Sequence, residues 1–133
     1  MHSVDAREPI ESLETLRARI REFAAARAWE RFHTPKNLAM ALVVEAAELQ
    51  EPFQWLTAEQ STVLDPAQHE AVRQEIADVL IYLTRLADVL NIDLLDAAAD
   101  KLVINARKYP VDAAYGHARK STRSAGSTER SDD

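Results

Sequence analysis

Cysteine is absent from the 133 residues, so neither a disulfide framework nor thiol chemistry is available. Glycine is nearly absent as well: Gly116 and Gly126 are the two, and residues 1–115 contain none. Tight hairpins and phosphate-cradling loops need glycine for their left-handed positions, so both are excluded from the body of the chain. Cationic excess is lacking too. The net charge of −6 argues against a nucleic-acid polymer as partner. No uncharged apolar run is long enough to span a bilayer; one such run, residues 79–84, is far too short. The N-terminus, Met1 to Glu8, has no apolar stretch of the signal-peptide kind. The expectation is a cytoplasmic protein with no membrane partner.

The prolines that are present, at positions 9, 35, 52, 66 and 110, fall where helices would begin or end. Together with the missing glycines they make the chain all-α. The length suits one domain with a real core. Residues 1–9 read as a flexible leader, residues 10–115 as a helical domain and residues 116–133 as a disordered tail of Ser, Thr, Arg and Asp. A first helix is expected over about residues 11–28, with the stripe Leu13, Leu16, Ile20, Phe23 and Ala24 and the stem of Arg27. A turn follows at Trp29 to His33. Thr34 then caps a second helix that starts at Pro35 and ends near Pro52. Residues 57–65 read as a polar loop. Asp65 and Pro66 repeat the cap-plus-proline signal and open a third helix reaching about Leu90. Asn91 can end it in a left-handed conformation, and Asp93 can cap a fourth helix over residues 94–108. Four amphipathic helices make a four-helix bundle the natural architecture.

Two carboxylate pairs interrupt the apolar runs of the second and third helices: Glu45 with Glu48, and Glu75 with Asp78. Each pair is spaced i, i+3, so both acids project from one helix face. That face also carries Leu38, Ala41, Leu42 and Leu49 in one helix, and Val72, Val79 and Tyr82 in the other. Acids in such surroundings are paired or bind a metal. Four carboxylates brought together without a cation repel, and a divalent ion removes the repulsion. Hard oxygen ligands with no His or Cys cluster beside them select Mg²⁺, with Mn²⁺ as a substitute, over zinc. Magnesium commonly works on phosphates. A di-iron bundle would need two Glu-x-x-His motifs; the chain has one, Glu30 to His33, and it falls at the turn.

The order Glu45-x-x-Glu48 then Glu75-x-x-Asp78 resembles the MazG-like all-α nucleoside triphosphate pyrophosphohydrolases, and most closely their dCTP pyrophosphatase branch. The likeness extends over residues 13–120. It is carried further by Phe23-Ala-Ala, Trp29-Glu, Phe32-His33, Pro35-x-Asn37-Leu38, Phe53-Gln-Trp55, Asp78-Val-Leu-Ile-Tyr82 and Asn105-Ala-Arg-Lys-Tyr-Pro110.

The resemblance implies a four-helix bundle of the MazG-like type. It implies hydrolysis of a nucleoside triphosphate to the monophosphate and pyrophosphate, as in nucleotide-pool sanitation, with Glu45, Glu48, Glu75 and Asp78 as the catalytic, Mg²⁺-holding acids. It also implies a homo-oligomer, with a tetramer favoured over a dimer. Ile20 stands where vertebrate members carry a histidine facing the base, so dCTP, another pyrimidine triphosphate, a modified base or a broad range all stay open.

Substrate contacts follow residue by residue. Trp29 and Trp55, both at helix ends, either plug the core or stack on a base, and the resemblance favours stacking. His33 is a lip residue with a structural or a base-contacting role, and Tyr82 either joins the core or reaches the sugar. Lys101, Asn105 and Lys108 recur at i, i+4, i+7 on the fourth helix with Tyr109 next. They form a solvated face or bind the substrate, whose triphosphate needs cations, and the resemblance makes Asn105 and Lys108 contacts to the ligand. Lys36 and Asn37 can add to these at a helix N-terminus. The competing reading is a non-catalytic helical bundle for partner binding, with the acids merely covering a surface.

Overall fold

A capping side chain opens every long helix of this chain. The computed structural model describes residues 7–117. The expected leader and tail lie, over residues 1–6 and 118–133, outside the described residues. Ser12 Oγ accepts from Thr15 N at 3.0 Å and starts α1 (Leu13–Ala26). Thr34 Oγ1 accepts from Asn37 N at 3.2 Å and starts α2 (Pro35–Gln50), with Pro35 in the first turn, where its missing N–H loses nothing. Asp65 and Gln68 cap each other reciprocally at 2.8 and 3.1 Å and start α4 (Pro66–Val89). The Asp93 carboxylate accepts from Asp96 N at 2.9 Å and starts α5 (Leu94–Lys108). Every regular element among the described residues is helical, and none of these helices is long and apolar enough to cross a membrane.

Two short helices were not legible in the sequence. The segment expected as a polar loop contains α3 (Ala58–Ser61), because Thr57 and Gln60 form a complete capping box around a single turn. After Pro110 the chain makes α6 (Val111–Ala114). The expected turn at Trp29 to His33 is present and winds as a 3₁₀ turn over Glu30–Phe32.

Helix ends set the geometry around that turn. Ala28 takes φ 52°, and Trp29 N and Ala28 N bond back to Ala24 O and Ala25 O at 3.0 and 3.1 Å. This is a Schellman closure with alanine in the left-handed position that glycine usually fills. Asn91, at φ 55°, closes α4 in the same way, with Ile92 N on Ala87 O at 2.8 Å.

The chain falls into two compact units, Met1–Ile92 and Asp93–Asp133. In the first, α2 and α1 both pack against α4. Leu16, Ile20 and Ala24 of α1, Leu38 of α2, and Val72 and Ala87 of α4 are buried. Leu38, at 2% exposure, is the most enclosed of the large side chains, and its burial contributes about 2 kcal/mol. Phe23, expected in the α1 stripe, is instead exposed and lies under the Arg27 guanidinium, 3.6 Å from the ring centroid. Among the described residues the second unit holds α5 and α6, and Tyr109 N donates to Asn105 O at 2.8 Å as α5 ends.

Candidate active site

α2 and α4 run antiparallel, as the pairing of their charges shows. The charge of Glu45 acts on Tyr82, and those of Glu48 and Glu51 act on Glu75. His33, just before α2, meets Arg85. Partners on α4 therefore fall in number as those on and before α2 rise. The i, i+3 spacing turns both acid pairs into the seam between the two helices.

Glu45, Glu48 and Glu75 each offer an oxygen within 4.8 Å of the others, and all three are half-buried. Asp78, one turn beyond Glu75, is half-buried as well. Burial and the hydrogen bond and charge of Glu48, followed by the charges of Asp78 and Glu75, push the Glu45 carboxyl up to about 7. Glu75 is raised by burial, by the charges of Glu48 and Asp78, by a hydrogen bond to Glu48 and by the charge of Glu51. Every neighbour acting on these two acids opposes their ionisation. Oε2 of Glu45 and Oε2 of Glu75 are buried and have no hydrogen-bond partner. Buried carboxylate oxygens normally find one. Two orphaned hard oxygens on facing helices, with Glu48 beside them, fit a divalent cation of the Mg²⁺ or Mn²⁺ type.

Along α4 the seam continues. Tyr82 is half-buried, and its hydroxyl is raised by burial and by the charges of Glu45, Asp78 and Glu48. Beyond it, Arg85 is buried, and its Nε–H donates to His33 Nδ1 at 3.1 Å. Its Nη1 reaches Asp88 Oδ2 at 3.4 Å. Arg21 of α1 holds the same carboxylate through Nε at 2.6 Å and Nη2 at 2.5 Å. The Arg21 hydrogen bond, then the charges of Arg21, Arg85 and Arg17, outweigh burial and keep the Asp88 carboxyl below its usual range. Arg85, Asp88 and Arg21 are absent from the sequence-based candidates. The signal for Arg85 was available: it is a cation on the Asp78–Tyr82 stripe inside an apolar run.

Trp29 stands edge-on to His33, with centroids 6.3 Å apart, and edge-on to Phe23 at 5.7 Å. Trp55 is 87% exposed, so among the described residues of the first unit it plugs no core. Lys36 is exposed in the first turn of α2. Asn37 uses its side-chain amide to hold Phe32 O at 3.1 Å, which ties the 3₁₀ turn to α2. Ile20 is buried and lines an apolar recess of about 200 Å³ with Leu16, Phe23 and Ile81. The α5 candidates belong to the second unit. There Lys101 and Lys108 are exposed, and Asn105 and Tyr109 are half-buried.

The MazG-like family model matches residues 40–123. The chain is 44% identical over 116 residues to dCTP pyrophosphatase 1 of Homo sapiens, covering 86% of this chain and 68% of that protein. It is 43% identical over 113 residues to dCTP pyrophosphatase 1 of Bos taurus, covering 84% and 67%. A crystal structure of a pyrophosphatase from Archaeoglobus fulgidus superposes with a TM-score of 0.71 at 40% identity, over 80% of this chain and 99% of that one. With its paired acids and all-α fold, the chain belongs to the MazG-like family, in the dCTP pyrophosphatase branch.

Proposed function

We propose that this protein hydrolyses a deoxynucleoside triphosphate, with a pyrimidine such as dCTP as the favoured substrate, to the monophosphate and pyrophosphate. Its family places it among the nucleoside triphosphate pyrophosphohydrolases; the base, the metal and the residue roles are our reading. The observation that carries it is the pair of partnerless buried oxygens, on Glu45 and Glu75, flanking Glu48. That arrangement is unfavourable by itself and is relieved by a cation.

Glu45, Glu48, Glu75 and Asp78 would hold Mg²⁺, or Mn²⁺ in its place. When bound there, the ion neutralises phosphate charge and lowers the pKa of water. The base would stack on Trp29 or Trp55, because a π-face is common to every base. His33 would meet the base edge and Tyr82 the sugar. Lys36 and Asn37 would approach the phosphates from the α2 N-terminus, and Lys101, Asn105, Lys108 and Tyr109 from α5. The activity would serve nucleotide-pool sanitation in the cytoplasm, performed by a homo-oligomer.

The test is pyrophosphate release from a panel of deoxy- and ribonucleoside triphosphates, with and without Mg²⁺. Release of pyrophosphate and monophosphate from dCTP, abolished by chelation, is the expected result. No release from any triphosphate, or full release after exhaustive chelation, would overturn the proposal.

A further inference from the structure

Arg85 is a buried charge that the proposed reaction leaves unused. Burying a charge is unfavourable unless its partners are well placed. On α4 it follows Asp78 and Tyr82 at i+7 and i+3, so the three share one helix face. It stands about 10 Å along the axis from Asp78, on the order of the separation between a nucleotide's phosphates and its base. Asp88, 6% exposed at its side chain, accepts from Arg85 on one side and from Arg21 of α1 on the other. The guanidinium is thereby fixed, and its Nε–H points at His33 Nδ1, 3.1 Å away.

A guanidinium carries N–H donors and no acceptor, and it keeps its proton in proteins. The His33 nitrogen that faces it must therefore be the bare, accepting one. A neutral ring then carries its proton on Nε2, on the other side of the imidazole. Burial and the Arg85 charge both hold His33 below the usual histidine range, which keeps the ring neutral at neutral pH. The Trp29 ring stands edge-on to the same imidazole.

We propose that Arg85, braced by Asp88 and Arg21, is a positioning residue that fixes His33 as its Nε2–H tautomer, so that His33 offers a donor and no acceptor to the base of a bound nucleotide. The complementary ligand is a base with a hydrogen-bond acceptor on the facing edge, as cytosine has at N3 and O2. Uracil and thymine share the O2 acceptor but carry a donor at N3, so the contact discriminates between them and cytosine only where Nε2–H meets N3. The ligand half of this inference rests on the pyrophosphohydrolase reading, whereas the tautomer half rests on the Arg85–His33 contact and the neutral ring and stands apart from that reading.

Long-range ¹H–¹⁵N spectra of the imidazoles at neutral pH, recorded on the full chain without nucleotide, decide the first half. The expected spectrum has a bare Nδ1 and a protonated Nε2 for His33, assigned by its loss in His33→Ala. Arg85→Met keeps the apolar stem and removes the donor; it should relax the ring to a mixture of tautomers, whereas Arg85→Lys should retain the Nε2–H form. Kinetics decide the second half. Arg85→Met and His33→Ala should each raise KM for dCTP about tenfold, the effect of one lost hydrogen bond, with kcat within about twofold. In the His33→Ala background Arg85→Met should add nothing further, because Arg85 acts through the ring.

A proton on Nδ1 in the wild type, an unchanged tautomer in Arg85→Met, or additive KM effects in the double variant would overturn the inference. Should Arg85→Met fail to fold by circular dichroism, the wild-type spectrum and the KM of His33→Ala remain decisive. A wild type that hydrolyses dCTP but carries the Nδ1–H tautomer defeats this inference alone. A wild type with the expected tautomer that cleaves no triphosphate defeats the functional reading instead.

Discussion

Glu48 clusters with Glu45 and Glu75, and its hydrogen bond and charge raise both, so without a cation it opposes their ionisation, besides being a proposed ligand. Removing its charge should leave the fold intact and disable the metal site. Glu48→Gln is expected to lower turnover by orders of magnitude while its circular dichroism and melting temperature stay at or above those of the wild type. An unfolded variant would give Glu48 a structural role. The tryptophans offer a second residue-scale test. Trp55 is 87% exposed and Trp29 43% exposed, a large apolar area left open in a chain with few aromatics. Base stacking on such a ring is worth roughly 1–3 kcal/mol. Trp55→Ala or Trp29→Ala should therefore raise KM about tenfold to a hundredfold with the fold retained. An unchanged KM in both variants would remove the stacking role from each ring.

The antiparallel α2–α4 pair joins acids whose titration belongs to the seam more than to single residues. Glu45 carries its proton up to about 7 when folded, against a usual value of 4.5, because of burial and Glu48, then Asp78 and Glu75. As pH rises through that window the unfolded chain ionises first, so the metal-free fold loses stability. His33 runs the other way: its lowered pKa makes stability fall as pH drops below its usual value of 6.5. Only the first effect should vanish when Mg²⁺ is added. Binding of the ion should also release protons and weaken as pH falls below about 7. Calorimetry in two buffers of different ionisation heat, at a pH just below that value, would show the release; none would refute it. The ends of these helices make a further prediction. Ala28 sits at φ 52°, where an L-residue is strained by about 1–2 kcal/mol and glycine is not. Glycine's entropy takes back about 0.5–1 kcal/mol, so Ala28→Gly should stabilise the protein by about 0.5–1 kcal/mol, read as a raised melting temperature. What was legible in the sequence was local. Thr34 with Pro35, Asp65 with Pro66, Asn91 and Asp93 each act within one turn, and the duplicated acid spacing declares the seam. The α3 turn was hidden because a capping box around a single turn has no periodicity to reveal it. The Arg85–His33 bond spans 52 residues and the Arg21–Asp88 bond 67. No pattern along the chain encodes such contacts until the helices have packed.

At the scale of the whole molecule, the described residues of the first unit leave apolar surface uncovered within that unit. Met40, Val43, Val44 and Ala47 recur at i, i+3, i+4, i+7 on α2, and all are exposed, Val43 by 68%. Ile76, Leu80 and Leu83 recur at i, i+4, i+7 on α4 and are exposed too, Ile76 by 53%. These stripes are separate from the positions that carry the acids. Because the seam between α2 and α4 is given over to carboxylates, the two helices have less apolar surface to bury against each other. Contiguous apolar patches on soluble proteins usually mark contact surfaces, and a chain of 133 residues gains core by association. Within the second unit, α5 leaves Leu95, Leu102 and Val103 exposed as well. A single two-fold contact covers one kind of patch; a second kind of contact turns a dimer into a dimer of dimers. The expected state is therefore a homo-oligomer, with a tetramer favoured over a dimer. Light scattering at micromolar concentration should report it. Val43→Lys combined with Ile76→Lys should shift the mass to a smaller species, since a buried unpaired lysine is disfavoured at any such contact. Retained helicity in that variant would separate lost association from lost fold. A wild-type mass equal to one chain, 14.9 kDa, would refute the oligomer and leave the two apolar stripes to some other partner.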